Sequence, residues 1–241
     1  MKECIKVGLL GAGTVGSGVL TVLEENTAEI EKKVGVPIHV SKILVRDMKK
    51  AKELSEKYQL TDKIEDIVED PEIDIVVELI GREHPAKEYI AAALEHKKNV
   101  VTANKDVLAK YGKELFPLAE ENKVDFMFEA SVGGGIPIIR PLKSCLAANK
   151  VTSVMGIVNG TTNYTDVLRE AQEKGYAESD PTADVGGLDA ARKLVILASI
   201  AFNTRIDLSD VLVEGIDGLD LCDIEHGKEL GYAIKLLAIA K

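Results

Sequence analysis

Ile5-Lys6-Val7-Gly8-Leu9-Leu10-Gly11-Ala12-Gly13-Thr14-Val15-Gly16 is the stretch on which the fold turns. A short apolar run ends abruptly in a G-x-G-x-x-G pattern, after which Val15, Val19, Val22 and Leu23 recur at helical spacing. The reading is strand, tight turn, helix. At that junction the glycines do different things. Gly11 permits the turn, Gly13 lets a pyrophosphate approach the backbone, and Gly16 brings helix against strand. The first helical turn, Thr14 and Val15 included, then offers unpaired N–H groups to an anion. Gly11, Gly13, Thr14, Val15 and Gly16 are therefore expected to bind a dinucleotide.

Working outward, strands are expected at Ile38 to Val45, Ile73 to Ile80, Asn99 to Ala103 and Val124 to Ala130. Helices are expected between them, at Met48 to Tyr58, from Pro85 to about His96, and after Ala103, where Pro117 should break or kink the chain. Strands alternating with helices of this length imply right-handed crossovers and a parallel sheet covered on both faces, an α/β fold with an N-terminal Rossmann-type doubly wound sheet. Ligands in such sheets lie outside the carboxyl ends of the strands, which selects Gly81, the segment Thr102-Ala103-Asn104-Lys105 and Glu129-Ala130-Ser131. Lys105 stands at a helix start, where a cation opposes the dipole and so needs another reason to be there. After the second strand Arg46 precedes Asp47, Lys49 and Lys50; an arginine there favours a 2′-phosphate, hence NADP, with NAD as the alternative.

The formal charge of −10 over 241 residues, with no basic run, argues against nucleic acid and anionic lipid as partners. No apolar stretch approaches the ~20 residues of a membrane span, and the N-terminal sequence enters the first strand without the pattern of a signal peptide. Cys4, Cys145 and Cys222 are odd in number and far apart, as expected of reduced thiols in the cytoplasm.

Past Ala130 the run Ser131-Val132-Gly133-Gly134-Gly135 reads as a hinge between two domains, 1–135 and 136–241. Ile136-Pro137 then opens a helix to about Asn149, followed by a strand at Val151 to Val158, a helix at Asp166 to Lys174 and a helix at Leu188 to Phe202 that is apolar all round from Leu194. Asp189 and Lys193 are four apart at the mouth of this last helix and share a face. An exposed pair would contribute only a few tenths of a kcal/mol; beside so apolar a helix the lysine is expected in a partly enclosed cleft, where it can donate a proton.

Six blocks, GLLGAGTVGSGV, VVTANK, EASVGGGIPIIRPL, GIVNGTTNY, GYAESDPTADV and GLDAARKLVILASIAF, stand in the order in which homoserine dehydrogenases carry them, and the chain resembles that family along its whole length. The resemblance implies NAD(P)-dependent interconversion of aspartate 4-semialdehyde and homoserine, a step toward threonine and methionine. It makes Lys193 the catalytic proton donor and Asp189 its substrate-orienting partner. Lys105 would lie between nicotinamide and substrate, and Glu178 would meet the substrate ammonium. Gly160, Thr161, Tyr176 and Asp184 would complete the pocket. It also implies a monovalent cation such as Na+ at Glu129, Val132, Gly134 and Ile136, and makes the second domain an α+β unit for substrate binding and homodimer formation, with Val151 to Val158 as the pairing strand. The cluster Glu178, Asp180, Asp184 lacks the spacing of a calcium loop and is assigned to substrate and hinge contacts.

The pattern departs from the family twice. Between Tyr164 and Thr165 the family carries an additional stretch of about a helical turn or more, and beyond Lys241 it continues into a Gly-rich segment, so the second domain is read as incomplete. Two other readings follow from the residues: a dehydrogenase of another amino-acid-derived aldehyde or imine, and a dinucleotide-binding fragment without activity.

Overall fold

The computed structural model describes residues 2–48, 51–159, 185–216, 218–219 and 221–241. The chain divides into two compact units, Met1–Gly134 and Gly135–Lys241.

The first unit is built on a six-stranded parallel sheet in the order β3-β2-β1-β4-β5-β6. Its elements are β1 (Ile5–Leu10), α1 (Thr14–Glu25), α2 (Thr27–Val34), β2 (Ile38–Leu44), β3 (Gln59–Thr61), α3 (Glu65–Val68), β4 (Ile75–Glu78), α4 (Ala86–Glu95), β5 (Asn99–Thr102), α5 (Lys105–Asn122) and β6 (Phe126–Met127). Val7, Gly8, Leu9 and Leu10 are buried in succession, the mark of a strand covered on both faces. Gly8 is needed there, because a Cβ would lie 2.5 Å from Cγ2 of Ile67. From β1 the chain winds outward through β2 and β3 on one side and β4 to β6 on the other, so the strand order reverses at the carboxyl ends of β1 and β4. That reversal opens a ligand crevice in doubly wound sheets.

Several expectations change. The face of α1 that packs inward is Gly16 and Leu20 with Val19 and Leu23 beside them; Val15 and Val22 are exposed. Over 51–58, where a helix was expected, there are turns and one 3-10 turn at Leu54–Glu56, because the chain must reach β3 and add a second partner beside β2. Pro117 does not break α5, which runs through it. The strands β4 and β6 are shorter than read: the second passes at once into a 3-10 turn, Glu129–Ser131. The short elements α2, β3 and α3 carry too few apolar positions to show a period in the sequence.

In the second unit the helix expected up to Asn149 contracts to a π-turn at Pro141–Cys145; Ile139 is buried just before it, but from Lys143 to Lys150 every residue is exposed, so the turn has no buried face to prolong it. The strand expected at Val151 to Val158 is β7 (Val154–Gly156), paired antiparallel with β8 (Ala238–Ala240), Met155 opposite Ile239. The buried helix is α6 (Leu188–Ala201), with Leu194 to Ala198 inside, and α7 (Leu221–Glu229) follows. The helix expected at Asp166 to Lys174 lies outside the described residues.

Candidate functional site

In the first unit the glycine turn has the geometry its spacing implies. Gly11 adopts φ +95°, and a Cβ there would lie 3.0 Å from the carbonyl oxygen of Leu79, so the turn after β1 is wedged against the end of β4. A Cβ on Gly16 would collide with the carbonyl oxygen of Gly11, which is how closely α1 approaches the turn. Gly13 differs: a Cβ there meets open space. It caps α1 in an extended conformation, no side chain among the described residues accepts from the helix's first N–H groups, and no acid occupies the first turn. Thr14 and Val15, both exposed, complete that turn. A bare helix N-terminus beside a backbone free of side chains fits a phosphate-bearing dinucleotide.

The other positions expected to meet a cofactor lie on the same carboxyl edge. Arg46 is exposed just past β2, and Gly81 follows β4 at φ +74°. Lys105 opens α5 and is half-buried. The cap before it is Asn104, whose Oδ1 accepts the Val107 N–H at 3.1 Å while its Nδ2 donates to the carbonyl of Arg82 at 2.8 Å. Glu78, at the last position of β4, is fully buried. Its carboxylate accepts the N–H of Ile80 at 2.8 Å and the hydroxyl of Thr102 at 2.6 Å. Sequence reading passed over Glu78, although a carboxylate inside the apolar run Ile75 to Ile80 was a signal for it.

In the second unit Lys193 and Asp189 form the expected pair: Nζ to Oδ2 is 2.7 Å, with both side chains more than four-fifths buried. The ammonium also donates to the carbonyl of Val158 at 2.8 Å. Asn159, buried and missed by the sequence reading, faces the same carboxylate; oriented to satisfy both groups, its amide nitrogen donates to Asp189 Oδ2 at 2.7 Å and to Val158 O at 3.1 Å. A lysine bound by a carboxylate and a carbonyl in partial enclosure is held aimed, as a proton donor must be. Gly160, Thr161, Tyr176, Glu178, Asp180 and Asp184 lie outside the described residues.

Of the four positions expected to hold a cation, Glu129 is half-buried at the start of its 3-10 turn and Val132 is buried, while Gly134, the last residue of the first unit, and Ile136, in the second, are exposed. Among the described residues no group of three or more His, Cys, Asp or Glu side chains could hold a metal ion.

Comparison with known proteins agrees with both halves. The family profile described as the NAD-binding domain of homoserine dehydrogenase matches residues 11–129, and the profile described as homoserine dehydrogenase matches residues 137–241. The chain is 48% identical to the homoserine dehydrogenase of Bacillus subtilis (strain 168), over 99% of its own length and 58% of that relative. A crystal structure of a homoserine dehydrogenase from Thiobacillus denitrificans, also 48% identical, matches with a TM-score of 0.93 over 99% of this chain and 58% of that one. A hyperthermophilic archaeal homoserine dehydrogenase in complex with NADPH is 26% identical and matches with a TM-score of 0.77, over 99% of this chain and 79% of that one. The chain thus spans a little over half the length of its curated relative.

Proposed function

The chain belongs to the homoserine dehydrogenase family, and on that premise we propose that it interconverts aspartate 4-semialdehyde and homoserine with a nicotinamide dinucleotide. The observation that carries the proposal is the enclosed pair of Lys193 and Asp189 in a chain that also bears an uncapped helix behind Gly11, Gly13 and Gly16.

A bound reduced nicotinamide supplies the hydride; the protein supplies placement, field and the proton. The first turn of α1 holds the pyrophosphate through its N–H groups, Gly81 lines the crevice beside it, and Arg46 takes the 2′-phosphate, which makes NADP the cofactor. The NADPH complex of the archaeal relative supports that choice. When the aldehyde is reduced, the oxygen gains negative charge and takes a proton from the Lys193 ammonium, which Asp189 and the Val158 carbonyl keep aimed. Lys105 adds positive charge beside the reacting carbon. By resemblance to the family, Glu178 meets the substrate ammonium, and Gly160, Thr161, Tyr176 and Asp184 shape its pocket. Glu129, Val132, Gly134 and Ile136 are assigned to a monovalent cation, which carbonyl oxygens of a Gly-rich bend can ligate.

A homodimer is proposed through β7, where Met155 is 59% exposed and Ile239 opposite it 45%, an apolar pair that a two-stranded sheet packed against α6 leaves in water. No described helix is long and apolar enough to cross a membrane. The odd number and wide spacing of Cys4, Cys145 and Cys222 support a place in the cytoplasm.

The test is NADPH oxidation with aspartate 4-semialdehyde by the full-length protein. Lys193→Ala is expected to lower kcat by about 10²- to 10⁴-fold while leaving the NADPH Kd within a few-fold. Arg46→Ala should weaken NADPH by about tenfold and leave NADH nearly untouched. Cofactor binding without turnover, or a clear preference for an aldehyde lacking an amino group, would overturn the proposal.

A further inference from the structure

Glu78 is the one buried carboxylate among the described residues of the first unit, and its relative exposure is 0%. Such a group is retained only where hydrogen bonds replace the lost water. Here they do more than satisfy it, because they form a closed ring. The Thr102 hydroxyl gives its single proton to Glu78 Oε2 and, as an acceptor, receives the N–H of Asn104 at 3.0 Å. Asn104 in turn holds the carbonyl of Arg82, and the other oxygen of Glu78 holds the N–H of Ile80, two residues earlier on the same turn. The turn after β4 and the turn after β5 are thereby tied together at the carboxyl edge of the sheet.

Two features give the ring a purpose beyond holding the sheet. Arg82 sits at φ +62°, a backbone conformation that a non-glycine residue adopts at a cost, and the ring grips its carbonyl. Lys105 follows Asn104 directly, at the first position of α5, where the helix dipole disfavours a cation. A residue that must stand against the local field needs a rigid mount.

We propose that Glu78 is a positioning residue for Lys105: the buried carboxylate, acting through the Thr102 hydroxyl and the Asn104 cap, fixes the backbone from which Lys105 reaches the reacting centre. The inference rests on the reading of Lys105 in the preceding subsection. It depends on charge and polarity rather than on shape, since every hydrogen bond at the carboxylate points inward. Glu78→Gln keeps the shape but presents an N–H₂ group, so either Ile80 or Thr102 meets a donor where it had an acceptor.

The experiment uses the full-length protein with Glu78→Gln, Thr102→Val, Thr102→Ser, Lys105→Ala and the Glu78→Gln/Lys105→Ala double variant. Amide hydrogen exchange without cofactor is expected to speed up about tenfold at Ile80 and Asn104 in Glu78→Gln. The Thr102→Val protein should show it at Asn104, and Thr102→Ser, which keeps the hydroxyl, should exchange like the parent. In turnover assays Glu78→Gln and Thr102→Val are expected to lower kcat about 10- to 100-fold with the KM for NADPH little changed. In the Lys105→Ala background Glu78→Gln should cost almost nothing further.

An equal loss of kcat with and without Lys105 would overturn the inference, as would a lowered Tm with exchange at Asn104 and kcat both unchanged. If Glu78→Gln does not fold, the contrast between Thr102→Val and Thr102→Ser carries the same decision. A parent protein that binds NADPH but never turns over instead defeats the proposed activity and, with it, the role given to Lys105.

Discussion

Gly11, Gly13 and Gly16 fall within six positions and answer three different demands. Gly11 needs a left-handed backbone wedged against Leu79, Gly16 needs contact with the Gly11 carbonyl, and Gly13 needs only that nothing stand in front of it. Their substitutions should therefore separate. Gly16→Ala forces α1 away from β1, as overpacking does, and is expected to destabilise by about 2 kcal/mol or more, read as a lower denaturation midpoint. Gly13→Ala should leave that midpoint nearly unchanged while raising the NADPH Kd by about tenfold or more, because its methyl group enters the ligand's path. Equal losses of stability in the two variants would refute this division. The three glycines were legible from spacing alone. Glu78 and Asn159 were not, because a lone polar residue in an apolar run declares its partners only when another part of the chain is brought beside it.

Among the elements, those whose apolar period is long were legible: β1, α1, α4 and the buried α6 all lie close to where the periodicity puts them. The short strands β3 and β8 exist because tertiary neighbours complete them. A three-residue strand has no period to read, and β3 is fixed by its pairing with β2. The passage of α5 through Pro117 is the converse case, local chemistry overruled by packing, since Leu115 and Ala119 on either side are buried. Proline still denies the helix one N–H donor. Pro117→Ala is accordingly expected to stabilise the protein by about 1 to 3 kcal/mol, seen as a raised midpoint in denaturant. An unchanged or lowered midpoint would mean that the packing of the ring outweighs the missing hydrogen bond.

Across the whole sheet, charges far apart in sequence are tied together at the edge opposite the glycine turn. Lys42 of β2 donates to Asp70 at 2.8 Å and to the carbonyl of Asp66, and the buried Lys98 donates to the carbonyls of Asp70 and Ile73. The hydrogen bond from Lys42, with that from the Glu72 N–H, holds the Asp70 carboxyl below its ordinary value near 3.8. A folded pKa below the unfolded one means that this contribution is complete above pH 3.8 and is lost as the pH falls through the lower folded value. Lys42→Met should therefore reduce stability at pH 7 by about 1 kcal/mol and flatten its dependence on acid below pH 3.8, measured by denaturant unfolding across that range. A variant that kept the parent's acid dependence would remove Asp70 from this role.

The sequence by itself determined the alternation of strands and helices, the glycine turn, the spacing of Asp189 and Lys193, and the family, because each is written in residues close together along the chain. The tertiary structure alone decided the strand order that opens the crevice, the ring through Glu78, Thr102 and Asn104, and the carbonyl and amide that aim Lys193. Those features join positions more than twenty residues apart, and a buried polar group acquires direction only from the neighbours that burial puts around it.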